Sequence, residues 1–277
     1  ITTKRGRVSD GLKVKVNANT GWNVAKAYPE YLGSAEYMSL YNEAFLNDGG
    51  NPNNLPYSPE SIYNYASGQN PYRYPSVDFY SSDYIKKAFN RSEVSAEIEG
   101  GNQRAQFYAN VSYYRTGDNL NFGEAKKDYT DRFSVRGNVD IELSQTISAY
   151  VNANATYYSS KSANNSYKYW ELARTFRPNR VSPLIPIDMI DPSAKSALNM
   201  IGATSNLIDG KYFLGGSNLD QSNVFGDIYA SGTNVYHSRQ FQFDAGLNFD
   251  LSSVLKGLSF HTMVAIDYAT LYTTSFN

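Results

Sequence analysis

FSVRGNVDIEL (residues 133–143) and ISAYVNANATY (residues 147–157) decide the fold of this chain. In the first run Phe133, Val135, Val139, Ile141 and Leu143 share one parity, and Ser134, Arg136, Asn138, Asp140 and Glu142 share the other. The second repeats the pattern, with Ile147, Ala149, Val151, Ala153, Ala155 and Tyr157 opposed by Ser148, Tyr150, Asn152, Asn154 and Thr156. A period of two is the mark of a strand whose faces meet different surroundings. Only Ser144, Gln145 and Thr146 separate the runs, so they form a hairpin.

Working outward, the same alternation appears at Leu12 to Ala18, Val94 to Ile98, Ala105 to Tyr113, Phe241 to Leu251 and Leu258 to Tyr268. That makes about seven strands, several near the ~9–11 residues that a tilted strand needs to cross a bilayer. No charged residue falls on the apolar parity of these runs, while the other parity carries carboxylates, arginines, amides and hydroxyls. A soluble β-sandwich whose apolar faces form its core shows the same alternation.

The connections separate the two readings. Residues 23–90 and 161–234 are long, and a shorter link spans Gly117 to Tyr129; between them lie the tight turns GGNQ, SQT and SSVLKG. Every second connection is short, as in transmembrane barrels with tight periplasmic turns and long outer loops. All ten prolines fall in the two longest connections, where no ladder needs their missing N–H. The outward-running strands end in Trp22, Tyr113 and Tyr114, Tyr157 and Tyr158, and Tyr268 and Tyr272, while Tyr129 and Tyr236 begin returning strands, an arrangement expected of an interfacial aromatic girdle. The fold expected is all-β: a transmembrane antiparallel up-and-down β-barrel, present as a partial wall of about seven strands, with long extracellular loops that contain short helices. SAEYMSLYNEAFLNDG is such a helix, with Ser34 expected as its N-cap and Gly49 as its stop.

Composition narrows the function. Lys plus Arg (25) balances Asp plus Glu (26), so there is no basic field for nucleic acid. With no cysteine there is no disulfide framework and no thiolate metal site. His237 and His261 lie on different strands without metal-ligand spacing, and the glycine pairs fit no phosphate-binding pattern. The sequence implies no catalytic residues, no metal and no cofactor. Glu93, Glu97 and Glu99 share the polar side of one strand, and Arg132 and Arg136 that of a strand two places away. A general acid/base pair is one reading of them; lining a polar lumen, paired with each other or with a plug, is the ordinary role of inward charges in a plugged barrel. In the long loops, NPYRYPSVDFY and YKYWELARTFRP concentrate rings beside amides and charges. Tyr72, Tyr74, Tyr80, Tyr169 and Trp170 are therefore candidates to stack on a sugar, the alternative being that these rings pack the loops into an ordered cap or against a partner.

Three stretches carry a family resemblance. ITTKRGR at the start, from Ile1 to Gly6, resembles the strand that leaves the plug and enters the barrel in SusC-like (SusC/RagA type) TonB-dependent outer-membrane transporters. DYIKKAFNRSEVSAEIEGGNQRAQFYANVSYYRTGD (83–118) and DRFSVRGNVDIELSQTISAYVNANATY (131–157) resemble two successive hairpin segments of that family. The resemblance implies that residues 1–7 are the last strand of the plug and residues 8–277 the first part of the barrel, within a longer chain that supplies the rest of the plug and wall. It further implies residence in the cell outer membrane among its lipids, TonB-driven import of an oligosaccharide or, alternatively, an oligopeptide, and a SusD-like surface lipoprotein as partner. The TonB complex would act through a part of the protein not present in this chain. A surface glycan-binding β-protein without transport is the rival reading.

Overall fold

The computed structural model describes residues 4–203, 207–215 and 224–276. Its chain order is β1 (Lys13–Val24), α1 (Ser34–Asn47), α2 (Pro59–Ser67), β2 (Ala88–Gly101), β3 (Ala105–Gly117), β4 (Tyr129–Glu142), β5 (Ile147–Ala163), α3 (Tyr169–Ala173), β6 (Leu184–Pro186), α4 (Lys195–Ala203), β7 (Leu207–Ile208), β8 (Tyr212–Leu214), α5 (Val224–Ala230), β9 (Thr233–Asp250) and β10 (Ser259–Phe276).

Seven strands form one antiparallel sheet in the order β1-β2-β3-β4-β5-β9-β10, so each strand lies beside the next wall strand along the chain. The short turns sit at one end of the sheet. Asn102 closes the β2–β3 turn by accepting the Arg104 and Ala105 N–H groups at 2.8 and 2.9 Å, and Ser144 does the same for Thr146 at 3.2 Å. At the other end the long connections gather into a cap that holds the helices and the small β6-β8-β7 sheet.

Register makes both faces continuous. Along one row Ala96, Val111, Val135, Ala155, Phe241 and Tyr268 lie side by side. The neighbouring row on the opposite face reads Lys15, Glu97, Asn110, Arg136, Asn154, Gln242 and Asp267. Nothing within the described residues covers the apolar face: Val94, Val111, Phe133, Phe241 and Val264 stay between 40% and 58% exposed. A sandwich would bury these side chains, so this sheet is no half of one within this chain. The accessible surface of 17835 Å² exceeds the ~12,000 Å² expected of a compact soluble monomer of this length. Among the described residues no helix is long and apolar enough to cross a membrane, which says nothing of crossing by strands.

The buried core lies in the cap instead. Phe79, Ile85, Leu120, Phe122, Tyr169, Phe225 and Ile228 cluster there, joining both long connections to the 118–128 link. Gly123 turns that link at a positive φ of 53°, where an added Cβ would strike the Ile228 carbonyl. In α1 the N-cap is Gly33 rather than the expected Ser34. Ser34 is buried, and its hydroxyl donates to the Pro75 carbonyl at 2.7 Å, a buried acceptor that capping would have left without this partner. Gly49 follows the helix at φ 84°, as its role of stop predicts.

Candidate functional site

The polar face of the wall is a ladder of side-chain contacts. Asn152 donates to Asp244 at 2.6 Å, Asn154 to Gln242 at 3.2 Å, and the Ser134 and Thr156 hydroxyls meet at 3.3 Å. Tyr114 lies between two guanidinium groups, Arg91 at 5.4 Å and Arg132 at 5.3 Å from its ring centroid. Both cations and the ring stand on this face because 91, 114 and 132 all carry the polar parity of their strands. For the same reason the girdle divides: Trp22, Tyr113, Tyr129, Tyr157, Tyr268 and Tyr272 take the apolar parity, while Tyr114, Tyr158 and Tyr236 take the polar one. Adjacent tyrosines in an extended strand cannot share a face.

Across this ladder runs the segment before β1. Ile1 to Thr3 lie outside the described residues, and Lys4 to Arg7 run without strand pairing. The Lys4 ammonium lies 2.5 Å from Glu97 and 3.5 Å from Glu99, and 5.0 Å from the Tyr108 ring centroid. Arg5 forms an ion pair with Asp140 and sits 5.6 Å from the Tyr150 ring centroid. Asn138 donates to the Lys4 carbonyl at 2.9 Å. Gly6 is buried so closely against the Phe107 backbone that a Cβ would not fit. The result is a two-cation clasp that holds the segment to β2, β3 and β4.

The expected charged residues are therefore distributed as follows. Glu97 and Glu99 engage Lys4, Glu93 lies 3.9 Å from Arg91, Arg132 stacks on Tyr114, and Arg136 borders a groove of about 370 Å³ with Asn154, Gln242 and Asp244. No ion pair joins the three glutamates to Arg132 or Arg136 among the described residues, because β3 intervenes. A second groove of about 610 Å³ runs beside Arg132, Thr156, Tyr158, Tyr236 and Gln240. Among the described residues no group of three or more His, Cys, Asp or Glu side chains comes together to hold a metal.

In the cap the candidate rings separate by burial. Tyr169 is fully buried, and its hydroxyl donates to the Phe79 carbonyl. Its ring has no free surface for a sugar, and it serves as a packing residue. Burial also raises its phenol pKa. Next to it, Trp170 is half-buried and stacked on Tyr28 at 6.1 Å, with Tyr80 6.3 Å away. Tyr80 packs on Tyr28 and Tyr31, Tyr74 meets Tyr65 edge-on at 5.4 Å, and Tyr72 is half-buried in a turn closed by Asn70. Phe79 stacks on Phe225 at 4.0 Å, and Tyr31 donates to the Phe176 carbonyl; burial pushes the Tyr31 phenol up to about 12. These four, Tyr28, Tyr31, Phe79 and Phe225, were not singled out from sequence. Their only signal was aromatic density.

Trp170 and the exposed Tyr167 border a cleft of about 800 Å³ where the polar face meets the cap, with Asp118, Ser162, Asn234 and Ser275 on its other sides. Near it, Asp128 is buried, with Oδ1 accepting the Ala163 N–H at 2.9 Å and Oδ2 unpaired among the described residues. Desolvation pushes this carboxyl up to about 7, against the opposing pull of that hydrogen bond.

No family model matches the sequence, and no curated protein matches it. Solved structures do. A chain of the RagAB peptide transporter superposes with a TM-score of 0.62 at 13% identity, over 99% of this chain and 30% of that one. The RagAB peptide importer in its closed-closed and open-open states gives TM-scores of 0.59 at 15% identity, again over 99% of this chain. The likeness is one of fold. This chain spans about 30% of the length of the transporter chains it matches.

Proposed function

We propose that this chain forms part of the wall of a plugged β-barrel in the bacterial outer membrane, importing an oligomeric nutrient in the manner of the SusC-like TonB-dependent transporters it resembles. One observation carries the reading: the seven-stranded sheet has a continuous uncovered apolar face and, on its other face, a hydrogen-bonded polar ladder crossed by the Lys4–Arg5 clasp. A lipid-facing exterior, a wet lumen and a plug tethered to the wall need those three features. Closure requires further strands beyond β1 and β10, since their free edges would leave backbone groups unpaired in hydrocarbon.

In this reading residues 1–7 leave the plug, TonB works on plug segments elsewhere in the protein, and a SusD-like lipoprotein closes over the cap. Oligosaccharide is the cargo class, met by the hydroxyl, amide and aromatic groups of the inner ladder and by Trp170 at the mouth of the cleft, with Tyr80 beside it and Tyr72 and Tyr74 elsewhere in the cap. The fold neighbours are importers of peptides, and the Arg91–Tyr114–Arg132 stack offers cations for a peptide carboxylate. Oligopeptide is therefore the second reading.

The test is uptake by cells expressing the complete open reading frame. Labelled oligosaccharide or oligopeptide enters energised cells, and entry stops when the inner-membrane potential is collapsed. Uptake that ignores the uncoupler, or a product that folds as a monomer in detergent-free buffer, overturns the reading.

A further inference from the structure

Outward-facing positions near the cap carry charges that the apolar band lacks. One row on the apolar face reads Arg115, Asp131, Ser159, His237 and Tyr272, and the row beneath it reads Tyr113, Phe133, Tyr157, Arg239 and Thr270. Arg115 is satisfied within the sheet, 3.2 Å from Asp131, and Lys161, one row nearer the cap on the same face, lies 3.6 Å from Glu124. His237 and Arg239 have no carboxylate partner among the described residues.

Instead, phenols frame them. The Tyr157 hydroxyl meets His237 Nδ1 at 2.8 Å, and Arg239 donates to the Tyr272 hydroxyl at 3.3 Å while lying 5.6 Å from that ring's centroid. The Tyr272 ring is also 4.9 Å from the His237 ring. Tyr157, His237, Arg239 and Tyr272 thus form one cluster on the outer side of β5, β9 and β10, and among the described residues most of the guanidinium donors and His237 Nε2 meet no protein partner. Directly below, Phe241, Tyr268, Ile266 and Val264 present an exposed apolar shelf.

A cation set on the lipid side at the level of the aromatic ring faces headgroups rather than hydrocarbon. We infer that this cluster binds the phosphate of a phosphorylated lipid in the outer leaflet, with its acyl chains lying on the Phe241–Tyr268 shelf. The inference rests on the barrel reading above. Charge and shape both select the occupant: an anion with three acceptor oxygens answers guanidinium and imidazole donors, and only a molecule that also has acyl chains uses the shelf. The Arg–Tyr contacts hold the fork in place before the phosphate arrives, and His237 is oriented by Tyr157.

The test uses the full-length protein in phosphatidylethanolamine nanodiscs, titrated with bisphosphorylated lipid A or its dephosphorylated form and read by native mass spectrometry. Bisphosphorylated lipid A is retained in preference to the dephosphorylated lipid, excess inorganic phosphate does not displace it, and the double variant Arg239→Gln/His237→Gln retains roughly tenfold less. Lys161→Gln, whose cation is already paired, retains it as the unsubstituted protein does. Equal retention of both lipids, equal retention by the double variant, or displacement by inorganic phosphate alone overturns the inference while leaving the barrel intact. A protein that does not enter nanodiscs at all fails earlier, on the barrel reading itself.

Discussion

The ammonium of Lys4 and the carboxylate of Glu97 stand 2.5 Å apart across 93 positions of sequence, tying the segment before β1 to the middle of β2. Replacing Lys4 with Glu sets three carboxylates together and frees the segment. In the detergent-solubilised full-length protein, trypsin then cuts after Arg5 and Arg7 several-fold faster. The reciprocal pair Lys4→Glu/Glu97→Lys restores resistance, because the attraction is re-formed with its signs exchanged. Equal cleavage rates in all three proteins would show that the clasp contributes nothing.

Ser134 and Val135 are neighbours on opposite faces of β4, so one substitution tests the wall twice. In the barrel proposed above, Val135→Lys puts an ammonium on the lipid side and costs ~2–4 kcal/mol of folding stability in bilayers near the midplane. Ser134→Lys, on the polar face, costs far less. Fraction folded in lipid vesicles, read by heat-modifiable gel migration, separates them; equal losses would contradict a two-faced membrane wall.

Much of the wall was legible because a period of two survives every local disturbance: each face named from sequence appears on one side of the sheet. The extent of the strands was legible too, since the long connections expected at 117–129 and 161–234 match the observed strand ends at Gly117, Tyr129, Ala163 and Thr233. The chemistry of their outer ends was not: past Phe241 the apolar parity leads to Arg239 and His237, and past Tyr113 to Arg115, so charge replaces the apolar signal on the same face. The cap was harder still. Tyr169 and Trp170 look equivalent as sequence, and only long-range partners, Phe79 at 90 positions away together with Phe122 and Phe225, bury the first and leave the second at the cleft. Ser34 has the chemistry of an N-cap but is drawn to Pro75, a long-range partner that no local rule reveals.

That difference in burial is measurable. Tyr169→Phe removes the donor to the buried Phe79 carbonyl and destabilises the cap by ~1–3 kcal/mol. Tyr169→Ala also empties the cluster around Phe122 and Phe225, for a loss of ~3–5 kcal/mol. Trp170→Ala loosens the cap less and weakens cargo binding more. Thermal unfolding of the detergent-solubilised protein, paired with cargo titration, resolves the two effects; a Tyr169→Phe protein that melts unchanged would rule out the buried hydrogen bond.

Asp128 makes the cap sensitive to pH. Its folded pKa, about 7, is raised above the ordinary value of 3.8, so the folded state holds a proton that the unfolded chain has released. Stability is then greatest below pH ~4, falls as pH rises from about 4 to about 7, and levels off above, by an amount on the order of 2–4 kcal/mol. Asp128→Asn keeps an acceptor for the Ala163 N–H and flattens the profile. Cap proteolysis at pH 5 and pH 8 checks this: the unsubstituted protein is cut faster at the higher pH after correction for protease activity, and Asp128→Asn shows no such difference.

The hydrophobic cluster of this chain belongs to its connections and not to its sheet, and the two long loops contribute to it jointly through Phe79, Tyr169 and Phe225. They are therefore one packing unit. A chimera that takes one loop from a relative and keeps the other opens a void or a clash at Phe79, whereas both loops moved together carry their own interior with them. Changing what the cap presents to its surroundings then calls for exchange of both loops together on the same sheet, more readily than for alteration of one loop alone.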